Sequence, residues 1–213
     1  MFGNREFTII PNAIDCVAFS YNSQTAERLR RENNLTDQLV IGHVGRFDPV
    51  KNHIFLIEVF REIIKQRHDS VMRLDGVGKT MPEIKVLVNN YGLDDKVRFL
   101  GSVSNVPEQL QMMDVFVFPS FYEGLGISLI EAQAAGLPCF ASRGCVPDSA
   151  NITGGVKYLP LDLGADTWAN IILRDLDSDV DRQRGMQAVR AAGYDIQTEA
   201  RKLETMYLDF HGR

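Results

Sequence analysis

Residues 114–142 read DVFVFPSFYEGLGISLIEAQAAGLPCFAS, and the order of their parts decides the fold. DVFVFP (114–119) is a nearly continuous run of β-branched and aromatic residues, as in a strand buried on both faces. After Gly126, Ile127, Ile130 and Ala134 recur at i, i+3 and i+7, the spacing of a helix with one buried stripe. Gly136 suits the left-handed position just past a helix end, and Pro138 cannot continue the helix. LPCFAS (137–142) then opens a second strand. Two carboxylates interrupt this otherwise small and apolar segment, Glu123 ahead of the helix and Glu131 about two turns inside it. They are not an i,i+4 pair, so each needs its own account.

The same alternation runs through the residues upstream. QLVIGHVG (38–45), SVMRLDG (70–76) and KVRFLG (96–101) read as strands. Between them, KNHIFLIEVFREIIKQRH (51–68) carries Phe55, Val59, Ile63 and Ile64 on a helical stripe. TMPEIKVLVNNYG (80–92) and NVPEQLQMM (105–113) open on capping-box spacings, Thr80 with Glu83 and Asn105 with Glu108. Apolar strands alternating with helices predict an α/β fold, a doubly wound and mainly parallel Rossmann-like sheet joined by right-handed crossovers. Toward the ends, FTIIP (7–11) reads as a strand, NAIDCVAF (12–19) as a loop and NSQTAERLRRENN (22–34) as a surface helix. Residues 165–176, 179–192 and 198–210 read as extra C-terminal helices, the last with Leu203, Met206, Tyr207 and Phe210 on one stripe.

Composition narrows the class. Apolar residues make up 45% and charged residues 24% of the 213, which is globular rather than disordered or coiled-coil usage. The formal charge of −5 argues against a dedicated nucleic-acid binder, which would carry a basic stripe. Cys16, Cys139 and Cys145 are odd in number and have no metal-ligand spacing, so a reduced, cytoplasmic setting fits better than a disulfide scaffold. MFGNREFTII lacks the apolar core of a signal peptide, and no run approaches the roughly 20 apolar residues of a spanning helix. The expectation is a soluble protein that at most touches the inner face of a membrane.

In open α/β sheets ligands bind beyond the carboxyl ends of the strands. Four loops leave those ends: GRFDPVKN (45–52), DGVGKT (75–80), PSFYEGLG (119–126) and ASRGCVPD (141–148). Each contains glycine, and three carry Arg46, Lys51, Lys79 and Arg143. Basic side chains beside accessible backbone amides suit a phosphate. The plain alternative is solvated surface charge. Against it, a cation such as Lys51 in a first helical turn is unfavourable unless an anion is also present. DGVGKT lacks the spacing of a P-loop. A carboxylate accepts two hydrogen bonds from a vicinal diol, which gives Glu123 and Glu131 a use on sugar rings without any proton transfer.

Glu-x7-Glu within FYEGLGISLIEAQAAGLPCFAS resembles the signature of the GT4 family (glycosyl transferases group 1), retaining glycosyltransferases of GT-B fold that use nucleotide-sugar donors. HVGRFDPVKNH resembles the family's phosphate loop, here Gly45, Arg46, Lys51 and Asn52. VMRLDGVG resembles its strand and glycine pair, YGLDDKVRFLGSVSNVPEQLQMMDVFVFPS its base-side strand and helix, and PNAIDCVAF its lead into the second domain, with Ala13 where glycine is usual. The resemblance spans about Pro11 to Asp148. It departs at Gly144, Cys145, Val146, Pro147 and Asp148, where the family writes Gly-Gly-x-x-Glu.

What the resemblance implies is specific. Arg46 and Lys51 hold the donor diphosphate and neutralise the leaving group. Gly45, Gly124, Leu125, Gly126 and Ile127 present backbone to the phosphates or sugar. Glu131 takes the ribose hydroxyls and Glu123 those of the transferred sugar. Val97, Arg98, Phe99 and Leu100 border the base. Arg46, Lys51 and Glu123 are thus the catalytic candidates. No metal is needed, since Asp48, Asp75 and Asp148 lie on separate loops and form no Asp-x-Asp pair. The donor is a nucleoside diphosphate sugar, UDP-linked on family grounds, and the acceptor a glycan or lipid-linked glycan in polysaccharide or cell-envelope assembly.

The implied domains are an interdomain-type segment (1–20), a Rossmann-like donor-binding domain (21–195) and a C-terminal helix (196–213). That helix would pack on an N-terminal domain that the chain lacks. With that domain missing, the stripe folds onto its own domain, pairs with another copy, or frays. The full-length enzyme would associate peripherally with membrane. The chain alone is then expected not to transfer sugar, being half an enzyme, one subunit of a two-chain transferase, or a non-catalytic nucleotide-binding module.

Overall fold

The computed structural model describes residues 10–176 and 181–211. Six strands form one sheet: β1 (Leu39–Val44), β2 (Ser70–Asp75), β3 (Val97–Gly101), β4 (Val115–Phe118), β5 (Cys139–Ser142) and β6 (Val156–Leu159). Their order is β3-β2-β1-β4-β5-β6, and every pairing is parallel. Winding runs outward in both directions from β1 and β4, so their boundary is the switch point of a doubly wound sheet.

Strand alternation sends side chains to two cores. Val40, Val71, Phe116, Phe118, Cys139 and Ala141 face α1 (Ser23–Glu32), α4 (Val106–Met112), α5 (Ile127–Ala134) and α7 (Gly185–Val189). Leu39, Ile41, Met72, Leu74, Val117 and Phe140 face α2 (His53–Gln66), α3 (Met81–Asn90) and α6 (Gly164–Leu176). Both faces are dry, so the strands carry continuous apolar runs. The stripe of α2 is broader than its spacing predicts. Leu56, Ile57, Val59, Phe60 and Ile63 are buried, while Phe55 and Ile64 flank them half-buried, because α2 packs on both the sheet and α6.

Several local expectations are corrected. Neither capping box forms. Thr80 is already helical (φ −89°, ψ −6°), which takes its side chain out of capping geometry. At α4 the Glu108 amide donates to the carbonyl of Asn105, and the Asn105 amide turns to the Glu108 carboxylate. Helix α5 starts at Ile127, so Glu131 lies little more than one turn inside it, not two. Gly136 does take the left-handed conformation just past its end (φ 68°).

The helix expected over 179–192 is instead a 3₁₀ turn (Arg182–Arg184), α7 and a π-type turn (Arg190–Tyr194) broken at Gly193 (φ 88°); residues 179 and 180 lie outside the description. The Arg182 guanidinium ties the 3₁₀ turn to the rest of the domain, donating to the carbonyls of Leu110, Met113 and Ala135. Strand β6 was not expected. Its outward Lys157 breaks the apolar run, a usual feature of edge strands. Most of the FTIIP stretch lies outside the described residues, and Ile10 and Pro11 are not in a strand.

Ile14 pairs in register with Asp195, so the segments leading into and out of the sheet domain run side by side. Beyond it, α8 (Ile196–His211) leaves Leu203 and Met206 half-buried and Tyr207 and Leu208 exposed. The side chain of Phe210 lies outside the description. The three cysteines are unbridged, and no described helix is long and apolar enough to cross a membrane.

Candidate functional site

The loops after β1 and β4 meet over the switch point. The chain leaves β1 at Gly45, whose N–H donates to Asp75 O (2.9 Å), and the Phe47 N–H donates to Val77 O (3.0 Å). These bonds bind the first loop to the one after β2. Gly76 is required there, because a Cβ on it would lie 2.0 Å from Gly45 O. Arg46 stands between the two bonds, exposed, and its guanidinium has no hydrogen bond or ion pair among the described residues.

Asp48 caps a 3₁₀ turn (Pro49–Lys51), and Asn52 ends that turn in the left-handed conformation. Lys51 is therefore on a turn ahead of α2 rather than in its first turn. Its ammonium lies 2.6 Å from Glu123 Oε1 and 4.7 Å from the centre of the Phe118 ring. Beneath the turn lie two buried histidines. Burial and then Lys51 hold the His53 pKa down to about 4, and His43 places Nδ1 2.9 Å from Val117 O.

The β4 loop is tied on both sides. Its Phe121 N–H donates to Val50 O (2.8 Å), and its Glu123 N–H donates to Cys145 O (2.9 Å) in the β5 loop. The Ser142 hydroxyl also donates to Ser120 O. A cavity of about 570 Å³ opens between these loops, lined by Tyr122, Glu123, Gly124 and residues 143–148. Gly126 (φ 76°) precedes α5 and offers no side chain to cap it, so the first amides of α5 are not capped by a side chain. Leu125 and Ile127 are half-buried beside it.

Glu131 is half-buried on α5, and among the described residues its carboxylate has no hydrogen bond or ion pair. Burial alone raises its pKa to about 7. A desolvated, unpartnered carboxylate is costly to the fold and available to hydroxyl donors.

Arg46, Lys51, Glu123 and the start of α5 therefore adjoin one another at the carboxyl end of the sheet, beyond its central strands β1 and β4. The base-side group divides. Val97 is in the core at the start of β3, and Arg98 donates to Asn33 O at 2.8 Å, so neither faces the carboxyl end. Phe99 packs on Phe47, and Leu100 sits at a bulge between β2 and β3. Of the other loop cations, Lys79 pairs with Asp48 (3.4 Å) and Arg143 donates to Tyr158 O (3.1 Å). Sequence reasoning gave Asn52 no role of its own and missed the Cys145 carbonyl. An asparagine directly after Lys51 in a turn was the readable signal.

A family model described as Glycosyl transferases group 1 matches residues 25–184. EpsF of Bacillus subtilis (strain 168) is 34% identical over 201 residues, covering 93% of this chain and 52% of EpsF. The UDP-Gal:alpha-D-GlcNAc-diphosphoundecaprenol alpha-1,3-galactosyltransferase of Escherichia coli is 31% identical over 142 residues, covering 65% of this chain and 37% of the enzyme. Among solved structures, Anabaena Alr3699/HepE in complex with UDP superposes with a TM-score of 0.75 at 20% identity, over 95% of this chain and 57% of that one. The sucrose-phosphate synthase of Thermosynechococcus elongatus gives 0.77 at 24%, over 96% and 53%. These likenesses bear on fold, and the chain spans about half the length, or less, of the curated relatives it matches. With about three quarters of its residues inside the family match, the chain belongs to the glycosyl transferases group 1 family.

Proposed function

We propose that this chain is the donor-binding half of a retaining glycosyltransferase that moves a hexosyl group from a UDP-sugar to a glycan or lipid-linked acceptor. One observation carries the reading. At the switch point adjoining loops carry an ion-paired Lys51 and Glu123 and an Arg46 without a partner among the described residues, and α5 carries a Glu131 likewise unpartnered among them. Basic side chains suit phosphates, and carboxylates suit the hydroxyls of the sugar and the ribose. The UDP preference draws support from the galactosyltransferase relative, named for UDP-Gal, and from HepE structures in complex with UDP and UDP-glucose.

On this reading the bond between the anomeric carbon and the β-phosphate oxygen breaks, and its electron pair stays on the phosphate. Arg46 and Lys51 neutralise that charge as it develops. An acceptor hydroxyl attacks the same face, and its proton passes to the departing phosphate oxygen. Glu123 orients the transferred ring, Glu131 fixes the ribose, and neither forms a covalent intermediate. Among the described residues no three His, Cys, Asp or Glu side chains gather to hold a metal, and we assign the positive charge to the two basic side chains. The acceptor site is assigned to a second domain or a partner chain, with α8 as the element that docks there. We assign its action to the cytoplasm, on glycans or lipid-linked glycans at a membrane face.

Titrating the purified chain with UDP and UDP-glucose, then assaying for free or transferred sugar, tests the proposal. Binding without transfer is expected. No heat with either ligand would remove the donor-binding reading, and transfer by the chain alone would remove the half-enzyme reading.

A further inference from the structure

The loops that meet at the switch point are joined three times. Phe121 N–H donates to Val50 O at 2.8 Å, Lys51 Nζ donates to Glu123 Oε1 at 2.6 Å, and the Asn52 side-chain amide donates to Pro119 O at 3.1 Å. The first is backbone to backbone. The second joins two side chains with several rotatable bonds each. Only the third fixes a short side chain to backbone across the gap.

Asn52 is unusual in a second way. It is 8% exposed and takes φ 54° and ψ 47°, a left-handed conformation that residues with a Cβ seldom adopt and asparagine tolerates best. Its N–H closes the 3₁₀ turn on Pro49 O (3.1 Å), and its carbonyl accepts from Leu56 N (3.2 Å), which starts α2. One residue thus ends the turn that carries Lys51, starts the helix behind it, and holds both against the end of β4.

That anchoring matters for the ion pair. Two flexible side chains lose entropy when held together, even in a largely buried pair, and such pairs are weak unless their backbones are fixed at the right separation. We propose that Asn52 is a positioning residue. Its clamp on Pro119 sets the distance between the β1 and β4 loops, so that Lys51 and Glu123 converge on one diphosphate-sugar. The ligand in that statement rests on the function proposed above. The clamp and its effect on the ion pair do not.

Two substitutions separate the clamp from the turn. Asn52→Gly keeps the left-handed backbone and removes the amide. Asn52→Asp keeps the size and sets an acceptor against Pro119 O. The first measurement needs no ligand: the coupling between Lys51→Ala and Glu123→Gln in chemical unfolding, as a double-mutant cycle. Coupling is expected in the otherwise unsubstituted chain and is lost after either Asn52 change, with unfolding still cooperative. Coupling that survives both changes, or that is absent from the start, overturns the proposal.

The second measurement is calorimetry with UDP and inorganic pyrophosphate. Asn52→Gly is expected to weaken both about fivefold to tenfold, and to add less than twofold once Lys51→Ala is present. An equal cost in both backgrounds overturns the proposal, because Asn52 would then act without Lys51. A chain that binds neither ligand, yet loses ion-pair coupling with Asn52, retains the clamp and discards the functional reading.

Discussion

Lys51 Nζ and Glu123 Oε1 lie 2.6 Å apart, joining the exits of adjacent strands 72 positions apart in the chain. The side chains are 19% and 11% exposed, so the pair is screened less than a surface one. On the proposed function each group is also the other's competitor for ligand: a diphosphate that engaged Lys51 would draw it from Glu123 and free that carboxylate for a sugar hydroxyl.

Removing the cation is therefore expected to weaken nucleoside diphosphate binding at least tenfold, about 1.4 kcal/mol. Arg46→Ala is expected to act in the same direction, since a guanidinium with no partner among the described residues has both edges open to phosphate oxygens. Calorimetry with UDP checks both, and unchanged affinity removes the substituted residue from the site.

Glu123→Gln has the opposite effect on the two ligands. It removes the competitor for Lys51, so UDP affinity stays at least as high as in the unsubstituted chain. Affinity for UDP-glucose falls, because the amide offers one acceptor fewer to the sugar. A parallel loss with both ligands contradicts the assigned role.

Glu131, assigned above to the ribose hydroxyls, carries a cost in stability. Its folded pKa of about 7 lies above the ordinary carboxyl value of 4.5, so the native state binds the extra proton between these pH values. Its contribution is complete below about pH 4.5 and is lost as pH rises through about 7. Glu131→Gln is therefore expected to stabilise the fold at pH 8 by something on the order of 1–3 kcal/mol, and by little near pH 4.5. Asp75, raised to about 6 mainly by burial, and His53 titrate in both proteins and cancel in the difference. Denaturant melts at the two pH values decide, and an equal change at both sinks the linkage.

Helix α8 is expected to exchange its amides quickly in dilute solution. None of its described residues is fully buried, and Tyr207 and Leu208 are 56% and 66% exposed. Hydrogen exchange over 196–211 checks this. Strong protection in a proven monomer would mean that the helix is complete on its own domain.

The strands of 38–142 were legible because both faces of the sheet are dry, leaving apolar runs with glycine and proline between them. Strand β6 was not, since an edge strand with Lys157 pointing outward carries no such run. Capping boxes were misread because spacing does not reveal that Thr80 is already helical or that Asn105 O has taken the Glu108 amide. At the site, residue types in loop order pointed to Arg46, Lys51, Glu123 and Glu131. Their partners did not show: spacing along the chain cannot bring Lys51 to Glu123, or turn Arg98 away toward Asn33. The sequence shows no role for Asn52 beyond its motif, because only the folded sheet brings the Pro119 carbonyl to its side chain.

Chelation is expected to leave UDP affinity unchanged, since Arg46 and Lys51 are assigned the charge that a metal would otherwise supply. Titration with and without EDTA checks it. Loss of binding in EDTA would contradict the assignment of those two residues.

The central claim is that Lys51 meets phosphate while Glu131 meets ribose. Calorimetric titration of UDP and inorganic pyrophosphate into the unsubstituted chain, Lys51→Ala and Glu131→Gln tests it most directly. Lys51→Ala is expected to weaken both ligands at least tenfold, whereas Glu131→Gln weakens UDP alone and leaves pyrophosphate within twofold. Equal weakening of both ligands by Glu131→Gln, or UDP binding indifferent to both substitutions, would contradict it.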